Sequence, residues 1–391
     1  MLSLLQTHRR PGRSEISELA LVFFKLGTTA FGGPAAHIAM MEDEVVRRRN
    51  WLTRERFLDY VAATNLIPGP NSTELAIHVG HARAGWPGLV VAGLAFIIPA
   101  TVIVGAAAWA YVRYGALPEA AGLLYGIKPV MIAIVVQALW SLGRAAIKTV
   151  ALAWLGLAAV AASAAGAHEL AVLGVAGTIM AAARVTRADA RGARLSLLAG
   201  MASLSSGGVA AMALTPSVVP FGLFQLFAVF AKAGAVLFGS GYVLLAFLRA
   251  DLVERLRWLT EAQLLDAIAI GQVTPGPVFT TATFIGYILA GTPGAIVATV
   301  GIFLPAFIFV AVSGPVVPRL RQSRVAGAAL DGIIVASLAL MMTVTWQLAR
   351  AALVDAVTVA LAGVSLLALV TFRVNSAWLI CAGGALGWFI R

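Results

Sequence analysis

Apolar residues in this chain neither alternate nor form narrow amphipathic stripes; they come in long blocks separated by short polar clusters. A helix needs about 20 mostly apolar residues in a row to cross a bilayer core. Blocks at 88–112, 121–143, 149–165 and 168–183 read as spans, and so do those at 294–316, 325–347, 353–371 and 375–390. Inside lipid each span must satisfy its own backbone hydrogen bonds, and the absence of strict alternation argues against a barrel, so the spans are predicted to be helices. Two further blocks, at 16–33 and 221–241, are interrupted by Lys25 and Lys232.

The pattern occurs twice. Phe31-Gly32-Gly33, Trp51-Leu52-Thr53, Asp59 and Pro68-Gly69-Pro70 recur 207 residues later as Phe238-Gly239-Ser240, Trp258-Leu259-Thr260, Asp266 and Pro275-Gly276-Pro277. Beyond the turn an offset of 206 pairs Gly126 with Gly332, Trp140 with Trp346 and Arg144 with Arg350. The predicted class is an all-α integral membrane protein of two homologous helical halves. A basic N-terminus at 1–14 leads into a first repeat at 15–184. A basic hinge with an unmatched apolar segment at 185–215 then precedes the second repeat at 216–391.

Each Thr reads as the N-cap of a helix, at 54–66 and 261–273. Both helices stop at a Pro-Gly-Pro turn, and further short helices follow at 71–84 and 277–290. At 1.5 Å per residue none of these crosses a 30 Å core alone, so each pair reads as a re-entrant hairpin or a broken span. Five full spans then precede the hinge if each pair dips in and returns. The halves are inverted if 195–214 stays on one side and parallel if it crosses.

Composition agrees with a membrane protein: 60% hydrophobic, 12% charged, mean hydropathy +0.92. The net charge of +11 is read as positive-inside bias and not as a nucleic-acid surface. Arg9, Arg10 and Arg13, with Arg184, Arg187, Arg191 and Arg194 of the hinge, are placed on the cytoplasmic side. The single Cys381 excludes disulfides and Cys-based zinc sites, and no cofactor is called for. Gly143–Thr149 misses the phosphate-loop pattern because Ile147 stands where its second glycine belongs, so an ion gradient is the expected energy source.

Interrupted helices at matching places in two repeats point to a transporter binding site. Irregular backbone survives at that depth only where protein buries it or water fills a cavity. A bare packing kink is the competing account. The helices after Pro68, Gly69 and Pro70, and after Pro275, Gly276 and Pro277, would aim N–H groups at a cavity near Asn71, Ser72 and Thr280. Asn65 and Gln272 place a side-chain amide three residues before each turn. Gly32, Gly33, Gly239 and Ser240 complete the candidate anion site. Lys25 and Lys232 are embedded charges at equal register and are functional by default, with snorkelling to the interface as the alternative. Two ammonium groups facing two helix N-termini would suit a small dianion.

Glu74 has no acidic counterpart, Thr281 standing in its place. It is read either as a carrier of a coupling proton, neutral beside the anion, or as a partner of the helix N-terminus. Asp59 and Asp266 are read as structural and Arg113, Arg319, Arg144 and Arg350 as anchors. His78 and His81 share a helix face without a paired carboxylate or Cys, and no metal is assigned.

With Phe31-Gly32-Gly33-Pro34, Trp51-Leu52-Thr53, Pro68-Gly69-Pro70-Asn71-Ser72 and their second copies, the chain resembles the chromate ion transporter family over essentially its whole length. The second copy departs in having Ser240-Gly241 for Gly33-Pro34. The resemblance implies a multi-pass carrier in the bacterial inner membrane that exports chromate and confers chromate resistance. It also implies halves in opposite orientation; the leading expectation is a carrier that binds chromate between the two broken-helix turns and releases it by rocking one half against the other. Sulfate, a tetrahedral dianion of similar size, is the natural competitor, and uptake of sulfate or another oxyanion is the alternative function. The partners expected are chromate, sulfate and the lipid bilayer, without nucleic acid; a homodimer is left open.

Overall fold

The computed structural model describes residues 12–31, 33–115, 118–188, 221–238, 243–372 and 374–390. Gly32, Gly239, Ser240 and the segment 195–214 lie outside the described residues. The first repeat opens with α1 (Arg13–Thr29), α2 (Gly33–Glu42) with a π-helical continuation at Asp43–Arg48, and α3 (Arg54–Thr64). It goes on through α4 (Asn71–Tyr114), α5 (Pro118–Ala146), α6 (Val150–Ala164) and α7 (Glu169–Ala188). The second repeat opens with α8 (Leu223–Val236), α9 (Leu244–Leu248) with a π-helical continuation at Arg249–Arg255, and α10 (Glu261–Val273). It closes with α11 (Thr281–Gln322), α12 (Arg324–Ala352), α13 (Ala356–Thr371) and α14 (Ser376–Ile390).

Local chemistry sets these limits. α1 buries Leu19, Val22, Phe23 and Leu26, the spacing of one helical face. It ends where Ala30 turns extended, ahead of the Gly-Gly-Pro that cannot continue it. Thr53 and Thr260 do cap α3 and α10, accepting from the N–H groups of Arg56 and Gln263 at 3.3 and 3.2 Å. α4 and α11 each consist of two limbs, parted at Ala84-Gly85 and Ala290-Gly291. The glycines have φ of +59° and +61° with strongly negative ψ, a conformation nearly confined to Gly. The chain folds back there, so Gly80 lies on Gly88 and Gly286 on Gly294 with no room for a side chain. The first limb is thus the short helix predicted at 71–84, and the second is the long span after it.

Among the described residues four helical stretches are long and apolar enough to cross a membrane: Asn71–Tyr114, Gly122–Ala146, Val278–Ser313 and Arg324–Ala352. They form two repeat-equivalent pairs. Leu94, Ile98 and Val102 on α4, and Val300, Leu304 and Ile308 on α11, expose matching apolar stripes. Such stripes, one residue per turn, have the apolar character of a lipid-facing surface.

The repeats interlock. α1 packs on α4, α8 on α11, and α4 on α11. α5, however, packs on α13 and α14 of the second repeat, while α12 packs on α6 and α7 of the first. Close approach of small residues permits this: Gly126 lies against Gly383 and Gly387, and its equivalent Gly332 against Ala176. Two composite groups of helices result, which we call bodies, α1–α4 with α8–α11 and α5–α7 with α12–α14. Each draws on both repeats, α10 packs on α5 and α12 across their boundary, and the hydrophobic core is continuous through both.

Candidate functional site

The two Pro-Gly-Pro turns are held crosswise. A proline has no N–H, so glycine carries the only backbone donor of each turn. The Gly69 N–H donates to the Leu237 carbonyl at 2.7 Å, and the Gly276 N–H to the Ala30 carbonyl at 2.9 Å. Ala30 and Leu237 are repeat equivalents at the extended exits of α1 and α8. Each turn therefore docks on the end of the first helix of the other repeat, at Leu237 or Ala30. Gly276 has φ of +87° and lies against Ala100 and the Gly27 carbonyl.

At the first turn Asn65 is the C-cap of α3. Its amide donates to Val61 O at 3.0 Å and its oxygen accepts from Asn71 Nδ2 at 2.8 Å, bracing the turn. Thr73 and Glu74 give their N–H groups to the Pro70 carbonyl at 2.8 and 3.0 Å, and Ser72 is buried. At the second turn the Thr280 hydroxyl donates to Pro277 O at 2.8 Å. The Gln272 Nε2 is buried with no hydrogen-bond partner among the described residues.

A cavity of about 280 Å³ opens between the two bodies beside the first turn. Asn65, Phe238 and Val243 line it from one body, and Lys148, Asp331 and Ser337 from the other. Lys148 Nζ lies 2.9 Å from Asp331 Oδ1, and the buried Ser337 hydroxyl has no partner among the described residues. Sequence reasoning singled out Asn65 and the Phe-Gly motif but missed Lys148, Asp331 and Ser337. Lys148 sits at a span end, where a basic residue reads as an anchor.

Lys25 and Lys232 meet carboxylates. Lys25 lies 2.7 Å from Glu44, and Lys232 pairs with Asp251. Asp251 also accepts Arg255 at 2.6 Å, matching the longer 4.0 Å approach of Arg48 to Glu44. Glu44 and Asp251 are themselves 207 residues apart, so the same ion pair is built twice. The Lys25 side chain is 58% exposed and that of Lys232 23%. The Lys25 ammonium, by donating to Glu44, holds this surface-stretch carboxyl below its ordinary range. The equal register of two acids, overlooked in the sequence, is the signal that pairs them.

Glu74 is fully buried, and neither carboxylate oxygen has a hydrogen-bond partner among the described residues. It lies directly against Gly69, where a Cβ would overlap its Oε1. His78 stacks on Tyr60 and His81 meets the Trp86 edge. Asp266, read from sequence as structural, lies 2.8 Å from Lys128 Nζ and accepts the Tyr111 hydroxyl at 2.8 Å.

The sequence profile of the chromate transporter family matches residues 17–183 and 224–388, one stretch in each repeat. The chain belongs to the chromate transporter family. The transporter is 32% identical over 373 residues to a chromate transport protein of Cupriavidus metallidurans, covering 95% of this chain and 92% of that one. It is 31% identical to a chromate transport protein of Pseudomonas aeruginosa, with 98% and 94% covered. It is 30% identical to a probable chromate transport protein of Synechococcus elongatus, with 86% and 84% covered. No solved structure matches it. The transporter is a multi-pass membrane protein, and its named relatives are transport proteins and not enzymes.

Proposed function

We propose that the transporter carries chromate out of the cytoplasm across the plasma membrane, with its halves in opposite orientation and with the cavity beside the first turn as its binding site. The observation that carries this reading is the crosswise join of the two Pro-Gly-Pro turns to the exits of α1 and α8 at Ala30 and Leu237. It brings Asn65 to a cavity that also holds the Lys148 ammonium and the Ser337 hydroxyl. A cation and two neutral donors suit a tetrahedral dianion, once Lys148 exchanges Asp331 for substrate. Lys25, Lys232 and the second turn then hold the frame, and movement between the composite bodies replaces rocking of one repeat against the other.

Electrical work favours this direction. One charge moved through 100 mV is worth about 2.3 kcal/mol, so a dianion leaving an inside-negative cell gains about 4.6 kcal/mol per 100 mV. Uptake of sulfate or a related oxyanion needs coupled cations, and buried Glu74 supports this second reading as the carrier of a proton.

Inside-out vesicles with an imposed potential test both. Chromate accumulation that requires the potential, is blocked by sulfate and is lost without the protein is the expected result. Absence of chromate uptake there, with sulfate entering right-side-out vesicles only under a proton gradient, would replace export by import. In that case Glu74→Gln should abolish dependence on the proton gradient.

A further inference from the structure

The cavity beside the first turn and the ion pair at Lys128 occupy repeat-related places. Ile334, the equivalent of Lys128 at an offset of 206, is among the residues lining the cavity. Asn65, at the rim on the opposite body, is the equivalent of Gln272 on α10. In the related place the side chain on α5 is a lysine, and its Nζ lies 2.8 Å across the boundary from Asp266 Oδ1 on α10 as an ion pair. Of the three groups in this cluster, Lys128 belongs to the body of α5–α7 and α12–α14. Asp266 and Tyr111 belong to the other.

The division of the contacts gives each group a task. Tyr111, on the second limb of α4, donates to Asp266 Oδ2 and so fixes the carboxylate within its own body. The remaining oxygen, Oδ1, faces Lys128. Asp266 is 4% exposed, so an ionised carboxylate there depends on these two partners. Lys128 is a charge set well inside a membrane-spanning helix, followed directly by Pro129, a placement that is functional by default. The repeat makes the asymmetry visible: Lys128 is matched by the apolar Ile334 at the cavity wall, whereas on α5 the lysine joins Asp266 amid apolar packing of α5 on α10.

We infer that Lys128 and Asp266 form a releasable latch between the composite bodies, with Tyr111 as its keeper, and that the latch must open once in every transport cycle. Both are positioning residues, since neither lines the cavity that is open to substrate. The inference rests on the transport reading above and adds which surfaces part. Parting the pair leaves the buried Asp266 carboxylate uncompensated unless water reaches it, which ties opening of the latch to hydration of the boundary.

The test uses the full chain with its one cysteine removed, Cys381→Ser, and Lys128→Cys with Asp266→Cys. A short bis-methanethiosulfonate reagent links the two thiols, and dithiothreitol releases them. Vesicle transport should be lost on linking and return on reduction. Linked protein that transports as fast as the reduced form overturns the latch. Should the reduced double variant itself be inactive, the rate of linking is measured with and without chromate. Chromate is expected to slow linking by drawing the bodies apart, and equal rates overturn the latch as well. The cysteine-free parent separates the two claims: no transport by it refutes the transport reading, whereas transport by the linked variant refutes the latch alone.

Discussion

Replacing Gly276 by alanine should loosen the crosswise join more than any conformational penalty alone can explain. Gly276 has φ of +87°, and holding a non-glycine residue in such a region costs on the order of 1–3 kcal/mol. A Cβ there would also stand 2.6 Å from the Ala100 Cβ and 3.0 Å from the Gly27 carbonyl oxygen. The first is closer than side-chain carbons come, the second is at the tight end of real contacts, and neither partner is a flexible tip. Overpacking of a filled site adds about 1–3 kcal/mol, so the total comes to about 2–6 kcal/mol. Gly291 supplies the control. Its φ is +61°, but a Cβ there meets nothing within 4 Å, so Gly291→Ala should carry only the conformational part. Thermal unfolding of detergent-solubilised protein, followed by size-exclusion fluorescence, compares the two. Gly276→Ala should unfold several degrees below Gly291→Ala and lose transport before it loses expression. Equal midpoints for the two variants would refute the argument that the second turn is seated against α1 and α4.

Two further outcomes follow from the paired lysines. Asp251→Ala leaves Lys232 and Arg255 facing each other without their carboxylate, and breaking a buried pair from one side costs about 3–5 kcal/mol. With Lys232 partly exposed the lower end of that range is expected in the same unfolding assay, whereas Lys25→Ala, removing a mostly exposed cation, should shift the midpoint little. A midpoint for Asp251→Ala equal to that of the parent would show that the pair is not formed. Glu44 has its carboxyl lowered below 4.5 chiefly by the Lys25 hydrogen bond. A depressed carboxyl contributes stability that is present above its unfolded value and lost as the pH falls through the folded one. Stability of the parent should therefore decline below about pH 4.5 more steeply than that of Glu44→Gln, and parallel curves would remove Glu44 from the acid response.

Much of the fold was legible in the residues because it depends on local chemistry. The Thr53 and Thr260 caps, the Pro-Gly-Pro stops and the apolar blocks each act within a few turns of chain, and helix limits follow from them. α4 shows where local reading holds even against a continuous helix: Gly85 is the reversal that separates 71–84 from the span after it. The candidate site was legible only in part. Asn65 and the Phe-Gly exit could be named from the repeat. Lys148, Asp331 and Ser337 could not, because each looks ordinary at a span end or within an apolar helix. Lys25 and Lys232 were visible as embedded charges, but their partners lie on the polar stretch after α2 and α9.

What sequence alone determined was the duplication, the helical membrane architecture and the order of motifs within each copy. Only the tertiary structure decided which copy meets which. In a duplicated chain Gly69 has two equivalent acceptors, Ala30 and Leu237, and α5 has two equivalent sets of partners, α6 with α7 and α13 with α14. Repeat alignment supports both choices alike, since it relates residues without placing them. The choice is made by close approach in space: Gly69 to Leu237, Gly126 to Gly383, Lys128 to Asp266. Those contacts join residues more than a hundred positions apart, where no local rule reaches.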